Sequence, residues 1–154
     1  MPGTDLPDIF RGRYVQLAAD FYPSGDGEIS PYLEEIRLVY RPDEPPLPPT
    51  QLRALARDGE VQLDWKPGPD GDIQGYLVYY GTVKGEYFGN DAMQGPSPID
   101  AGARTGLRIG GLKNGVLYHF AVAAYDRKGA GDAGPYHAGE FSREVSARPL
   151  RMAE

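Results

Sequence analysis

The stretch from residue 111 to residue 126 constrains the fold of this chain more than any other part of the sequence. Leu112 is followed by the polar turn Lys113-Asn114-Gly115, and Tyr118 then opens an alternating apolar run. An Asn-Gly turn next to such alternation is typical of a β-strand entered around a tight corner. The predicted core face of this strand consists of Tyr118, Phe120, Val122 and Ala124.

The composition favours many short strands. Glycine (21 residues) and proline (15) make up nearly a quarter of the 154 residues, and no long helical pattern competes with this punctuation. Turn signals divide the second part of the chain into alternating segments, which predicts an antiparallel β-sandwich. The predicted strands there cover residues 51–57, 60–65, 73–80, 104–109, 117–125 and 143–148.

Several classes of function are excluded by charge and residue type. The net charge is −6 and the 16 basic residues form no run, which argues against nucleic acid or an anionic membrane as a partner. No apolar stretch reaches the length of about 18 residues that a membrane span needs. The absence of cysteine excludes disulfides, thiolate catalysis and cysteine-ligated zinc.

The amino-terminal part has a different rhythm. Alternation predicts strands at 13–22 and 33–41, which would pair as a hairpin, and a Pro-rich connector follows them. Two strands alone are marginal in water, so the hairpin needs a partner. We therefore expect a two-strand segment with its linker over residues 1–44, a main domain over 45–150 and a tail over 151–154.

Residues 46–150 resemble a fibronectin type III domain. The resemblance consists of the Pro48-Pro49 lead-in, Trp65 in Val61-Gln62-Leu63-Asp64-Trp65, the run Gly75-Tyr76-Leu77-Val78-Tyr79-Tyr80, Leu112 and Tyr118 at the corner, and the closing Phe141 to Pro149. It implies an all-β, immunoglobulin-like antiparallel sandwich, here with an amino-terminal β-hairpin extension. It also implies that Trp65 fills the space between the sheets and that the Tyr118 hydroxyl satisfies backbone groups at the corner, with Tyr76, Leu112 and Val122 as further structural residues.

Two regions depart from the compact family pattern. Residues 81–103 and 126–140 are longer than the family needs, and the second is glycine-rich. The first 41 residues look instead like the closing strands of a jelly-roll-like sandwich in large bacterial exported proteins. That likeness suggests a chain taken from, or derived from, a multidomain surface or periplasmic protein.

Candidate catalytic and metal-binding residues are sparse. His119 and His137 are the two histidines, and neither has converging partners in the sequence. Asp70-Gly71-Asp72 and Asp26-Gly27-Glu28 suit turns better than calcium loops, and Glu140 and Glu144 read as solvated positions. We therefore expect no enzyme activity, cofactor or metal.

The outward face of the predicted sheet is unusually apolar, and two explanations remain open. The amino-terminal hairpin or a neighbouring subunit covers it, or it binds a protein or a glycan. The predicted partner contacts are Leu77, Tyr79, Tyr87, Phe88, Ala121, Ala123 and Tyr125.

The expected function is a non-enzymatic structural or protein–protein interaction module, serving as a spacer or assembly contact. The alternative is a carbohydrate-binding accessory module, because exposed aromatic rings stack on sugars. We expect the module to be periplasmic, on the cell surface or extracellular if the chain is part of a longer protein. Its partner would be another protein or a second copy.

Overall fold

A computed structural model describes residues 16–22, 24–28, 31–39, 44–128 and 136–151. The chain divides into two compact units, Met1–Arg41 and Pro42–Glu154, and each is described by itself. No helix occurs within these described ranges.

The hairpin predicted for the first unit is wrong for the residues that the structure describes. Residues 16–22 and 31–39, which are the described parts of its two strands, form no strand. Their large apolar side chains are about half exposed or more, including those of Leu17 at 50% and Val39 at 86%. Alternation alone predicted strands here, but a lone pair of strands buries too little apolar area to be stable.

The second unit is an antiparallel sandwich of two sheets. Its strands are β1 (Thr50–Arg57), β2 (Glu60–Lys66), β3 (Gly75–Gly81), β4 (Ile99–Gly102), β5 (Gly106–Gly110), β6 (Tyr118–Lys128), β7 (Tyr136–Ala138) and β8 (Val145–Ala147). One sheet has the order β1-β2-β5. The other has the order β4-β3-β6-β7, and β8 also pairs with β6.

The core lies between the two sheets and follows the alternation of the sequence. Val61, Leu63 and Trp65 point inward from β2, and Trp65 meets Tyr76 of β3 edge to face with ring centroids 5.5 Å apart. Phe120 and its alternate neighbours on β6 close the core from the other sheet. The predicted structural residues Trp65, Tyr76, Leu112, Tyr118 and Val122 are all buried.

Two strands lie in regions that the sequence assigned to loops. β4 occupies part of the long 81–103 region, and β7 lies inside 126–140, where it pairs with the carboxyl end of β6. Both are short, and the glycine and proline around them masked the alternation. The glycine-rich residues 129–134 lie outside the described part of the chain.

The Pro-rich lead-in segment, residues 44–49, is packed on the domain. The Leu47 amide donates to Asp70 Oδ2 at 2.7 Å, and Pro46 and Pro49 are buried. A Cβ added to Gly139 would collide with the Pro46 carbonyl oxygen, so only glycine lets the segment lie this close. The segment therefore packs against the sandwich, whose expected first residue is 45.

Candidate interaction site

Three aromatic rings form a cluster on the outward face of the larger sheet, which we call the aromatic cluster: Tyr79, Tyr87 and Phe141. Phe141 meets Tyr79 and Tyr87 edge to face, with centroids 4.7 and 5.4 Å apart, and the two tyrosines are 6.2 Å apart. Tyr79 comes from β3, whereas Tyr87 and Phe141 come from the chain after β3 and after β7. Such edge-to-face packing stabilises aromatic groups beyond the area they bury.

Glu144 ties this cluster to the neighbouring loop. Its Oε2 accepts hydrogen bonds from the Gly85 amide and the Tyr87 hydroxyl, each at 2.8 Å. Its Oε1 lies 2.9 Å from Nδ1 of His119, the outward residue of β6 next to the corner. The prediction that Glu144 is simply solvated is therefore wrong.

The electrostatics of this group follow from burial and hydrogen bonding. Burial opposes ionisation of Glu144, but hydrogen bonds from Tyr87, Gly85 and His119 outweigh it and lower the pKa of this carboxyl. Burial and the bond to Glu144 raise the pKa of Tyr87 to about 12. At neutral pH the tyrosine is a neutral donor and the glutamate an ionised acceptor, which is the strong form of such a bond.

The loop between β3 and β4 is held at several other points. Tyr80 Oη accepts from the Ala92 amide and donates to the Gly95 carbonyl, both at 3.0 Å. The hydroxyl of Tyr118 donates to Asp91 Oδ2 at 2.6 Å. Two buried tyrosines thus fix the middle of a loop that is longer than the compact pattern, and the loop is ordered before any partner binds.

Phe88 is the most exposed aromatic residue that this loop presents. It is 84% exposed, and Val83 nearby is 53% exposed. Both line a shallow depression of about 240 Å³. Its remaining lining residues are Thr82, Glu86, Gly89, Asn90, Asp91 and Lys113. A single exposed apolar side chain is normal on a protein surface, whereas contiguous apolar patches mark contact sites, so the pairing of Phe88 with Val83 is what makes this depression a candidate.

The opposite end of the same face is closed by two other tyrosines. Tyr125 and Tyr136 donate to the two carboxylate oxygens of Asp100 at 3.0 and 3.1 Å, and their rings lie 4.8 Å apart. A Cβ on Gly75 would collide with the Tyr125 ring, so this glycine lets the ring lie across β3. His137 Nδ1 pairs with Asp126 at 2.8 Å beside them.

The predicted contact residues separate into two groups. Leu77, Ala121, Ala123 and Tyr125 are buried, so the predicted outward apolar row is not an exposed surface. Tyr79 and Tyr87 are partly buried in the aromatic cluster, and Phe88 is exposed. The alternation was read correctly, since Leu77 pairs with Ala123 and Tyr79 with Ala121. The sequence did not indicate that Phe141 packs on Tyr79 or that Tyr136 packs on Tyr125.

A signal for these missed residues did exist in the sequence. Tyr136, Phe141 and Glu144 all follow the glycine-rich stretch 129–134, and glycine removes the alternation that would have placed them. Between β7 and β8, Ser142 lies beside β6 and makes two hydrogen bonds with Val122. The Ser142 amide donates to the Val122 carbonyl at 2.8 Å, and the Val122 amide donates to Ser142 Oγ at 3.0 Å. The sequence signal for an additional aromatic contact is the pair Tyr136 and Phe141, five positions apart, immediately after the glycine-rich stretch.

The described residues offer no centre for metal chemistry. They contain no group of three or more His, Asp or Glu side chains placed to hold a metal ion. Among the same residues, no helix is long and apolar enough to cross a membrane.

The two-sheet topology, the Trp65 plug and the Tyr118 corner define an immunoglobulin-like sandwich of a particular class. A sequence profile described as "Fibronectin type III domain" matches residues 47–140. The chain therefore belongs to the fibronectin type III family, as the sequence resemblance predicted.

Comparison with individual proteins agrees with this assignment. Human contactin-3 is 31% identical over 113 residues, which are 70% of this chain and 10% of contactin-3. This chain thus spans about a tenth of that relative's length.

Solved structures share the fold. The solution structure of the fn3 domain of human contactin 1 matches with a TM-score of 0.53 and 15% identity, over 78% of this chain and 92% of that one. A β-1,2-glucanase from Parabacteroides distasonis matches with a TM-score of 0.51 and 19% identity, over 71% of this chain and 13% of that one. At these identities the likeness is one of fold.

Proposed function

We propose that this chain is a non-enzymatic module of a larger protein, which spaces neighbouring segments and contacts a protein partner through Phe88. The observation that carries the proposal is the 84% exposure of this ring on a loop tied down by Tyr80, Tyr118 and Glu144. Membership of the fibronectin type III family supports the module role. Tyr79 and Tyr87 contribute through the aromatic cluster, in which Tyr87, the neighbour of Phe88 in the chain, packs on Tyr79 and Phe141.

Preorganisation is the physical reason to place the contact here. Association costs free energy when loops and side chains must be ordered, so a restrained loop retains more of the contact energy as affinity. The outward face of the other sheet is a poorer candidate, because β1 and β2 present Arg53, Arg57, Glu60 and Asp64 of both charges there. Mixed, solvated charges of this kind contribute little to binding.

The test uses a photo-crosslinking amino acid at position 88 of the full parent protein in its own cells. Leu55, which is 56% exposed on β1, is the matched control position for the same probe. We expect one protein to be captured from position 88 and not from position 55. With that protein purified, Phe88→Ser should weaken binding by about tenfold or more, as for a central aromatic anchor, and Leu55→Ser should not.

Two results would overturn this assignment. Equal capture at both positions, or equal affinity of both serine variants, would remove Phe88 from the contact. Retardation of the wild-type chain in gels containing β-glucans, lost in Phe88→Ser, would replace the protein partner with a glycan. Light scattering of the purified chain tests a second copy as the partner.

The proposed site of action is outside the cytoplasm, in the periplasm or on the cell surface. Fractionation of the source cells with an antibody against this chain tests it. Recovery in the cytoplasmic fraction alone would reject export.

A further inference from the structure

Two chemically reactive dipeptides lie side by side at one end of the sandwich. Asp58-Gly59 forms the turn between β1 and β2, and Asn114-Gly115 lies in the corner between β5 and β6. Both glycines have positive φ, 65° and 85°, which glycine adopts without strain. A glycine after Asp or Asn leaves its backbone nitrogen unshielded, and that nitrogen can attack the preceding side chain.

The two dipeptides hold each other through reciprocal hydrogen bonds. Asn114 Nδ2 donates to Asp58 Oδ1 at 2.6 Å, and the Gly59 amide donates to Asn114 Oδ1 at 2.9 Å. The Gly59 nitrogen is the atom that would attack Asp58. The Gly115 nitrogen, which would attack Asn114, donates to the Pro149 carbonyl at 2.8 Å.

From this arrangement we infer that Asn114 and Asp58 form a coupled site of spontaneous backbone modification. Each is protected in the folded protein, and conversion of Asn114 removes the protection of Asp58. The inference is independent of the proposed partner surface around Phe88.

The first step is deamidation of Asn114. After losing its proton, the Gly115 nitrogen bonds to Cγ of Asn114, the Cγ–Nδ2 bond breaks, and ammonia leaves with the proton. Water then opens the resulting five-membered imide at one carbonyl to give aspartate, or at the other to give isoaspartate. Water is the only co-reactant, and no oxidation occurs.

The second step is imide formation at Asp58, and it is caused by the negative charge that deamidation places at position 114. Deamidation replaces the Nδ2 donor with an oxygen, so a carboxylate faces Asp58 where a hydrogen bond stood. Like charges at this distance repel, and the turn opens. Asp58 reacts through its protonated carboxyl: the freed Gly59 nitrogen bonds to Cγ, the Cγ–OH bond breaks, and water leaves with the amide proton. Water then reopens the imide to aspartate or isoaspartate.

The test is a time course of the purified chain at physiological temperature, at mildly alkaline pH, which favours deamidation, and at mildly acidic pH, where part of the Asp58 carboxyl is protonated. Peptide mapping by mass spectrometry follows the gain of one mass unit at Asn114, and an isoaspartate-specific methyltransferase assay of the isolated peptide that contains Asp58 follows that residue apart from Asn114. Because attack requires local opening, we expect Asn114 to react about tenfold or more slowly in the folded chain than in denaturant. Isoaspartate at Asp58 should appear only after Asn114 has reacted.

Two variants test the coupling directly. Asn114→Asp mimics the first product and should raise isoaspartate formation at Asp58 about tenfold, because the turn is open more often. Asp58→Ala removes the acceptor of the Asn114 Nδ2 hydrogen bond and should accelerate deamidation at Asn114. Asn90→Asp, the same charge change on an exposed residue of another loop, is the matched control and should change neither rate.

Three results would overturn the inference. One is an Asn114 reaction as fast in the folded chain as in denaturant. Another is an Asp58 rate that Asn114→Asp leaves unchanged. The third is equal acceleration in Asn90→Asp, which would show that net charge and not the hydrogen-bonded pair sets the rates.

Discussion

The Tyr118 hydroxyl shows how one atom can close a corner of this sandwich. It accepts from the Lys113 amide at 3.0 Å and donates to Asp91 Oδ2 at 2.6 Å, while its ring is fully buried. The first bond secures the turn into β6, and the second secures the long loop after β3. Trp65 differs from Tyr118 in this respect. Its buried Nε1 has no hydrogen-bond partner among the described residues, so its side chain contributes by packing alone.

Replacement of Tyr118 by phenylalanine should destabilise the domain. Tyr118→Phe leaves the Asp91 carboxylate and the Lys113 amide without this partner, at a cost of about 1–3 kcal/mol in the free energy of unfolding. Urea denaturation measures the loss. Tyr32→Phe, at a residue that is 79% exposed, is the matched control and should leave the midpoint unchanged.

The Tyr118 hydroxyl also makes the stability of the domain depend on pH in the alkaline range. Burial and the bond to Asp91 raise the pKa of Tyr118 to about 12, whereas an unfolded tyrosine ionises near 10. The fold favours the protonated form, so this contribution is complete below pH about 10 and is lost as pH rises towards about 12. Tyr118→Phe should show a smaller decline over that window; an equal decline would contradict the assignment.

At the scale of elements, the segment from β7 to β8 contacts both β3 and the loop after β3. It runs along β6, sends Phe141 onto Tyr79, and brings Glu144 to the Gly85 amide. The loop after β3 is therefore fastened to the last strands of the domain.

Replacement of Glu144 by glutamine should loosen that loop. Glu144→Gln removes the negative charge of the acceptor, so the hydrogen bonds from the Gly85 amide and the Tyr87 hydroxyl become neutral and weaker. The Gly85 amide should exchange with solvent about fivefold or more faster, since a hydrogen bond to a charged group contributes about 1 kcal/mol more than a neutral one. Amide exchange by NMR measures this.

Glu140→Gln is the matched control for this change, because Glu140 lies on the same segment and is exposed. It should leave Gly85 unchanged. Equal protection of Gly85 in both variants and the wild type would mean that the loop is held without Glu144.

The same elements show what the sequence could predict. β2 alternates between core and outward residues, β3 and β6 are largely apolar runs, and Trp65 and Tyr118 stand at recognisable positions, so the sandwich follows from local pattern. The packing of Phe141 on Tyr79 and of Tyr136 on Tyr125 involves residues beyond a glycine-rich stretch, where no local alternation places them. The hydrogen bonds of Glu144 to Gly85 and Tyr87 join residues 59 and 57 positions apart, and no local pattern encodes such pairings.

At the scale of the whole molecule, the lead-in segment shows that the second unit extends upstream of its first strand. Pro46 lies against Gly139, and Leu47 is bonded to Asp70, so the segment touches both the loop after β2 and the region after β7. The sequence predicts a Pro-rich linker that ends at residue 44 and a main domain that begins at residue 45. The packing shows that prolines can be structural residues of a sandwich.

A methyl group at Gly139 should disturb this packing. Gly139→Ala places a Cβ against the Pro46 carbonyl oxygen, and backbone shifts forced by overpacking cost about 1–3 kcal/mol. Thermal denaturation should show a drop in Tm of several degrees, and the Leu47 amide should exchange faster. The Leu47 readout separates displacement of the lead-in from general destabilisation.

Gly71→Ala is the control, because nothing lies within 4 Å of a Cβ built there. It should leave both measurements near wild type. Unchanged Tm and Leu47 exchange in Gly139→Ala would show that the segment accommodates the methyl group.

The packed lead-in also decides where mechanical tension enters the domain. A pull on the chain upstream of Glu44 reaches the bond between Leu47 and Asp70, and the contact of Pro46 with Gly139, before it reaches the paired backbone of β1 and β2. The lead-in would therefore peel away first, as a short, low-force extension. The chain would then lengthen at low force while the strands of the sandwich stay paired.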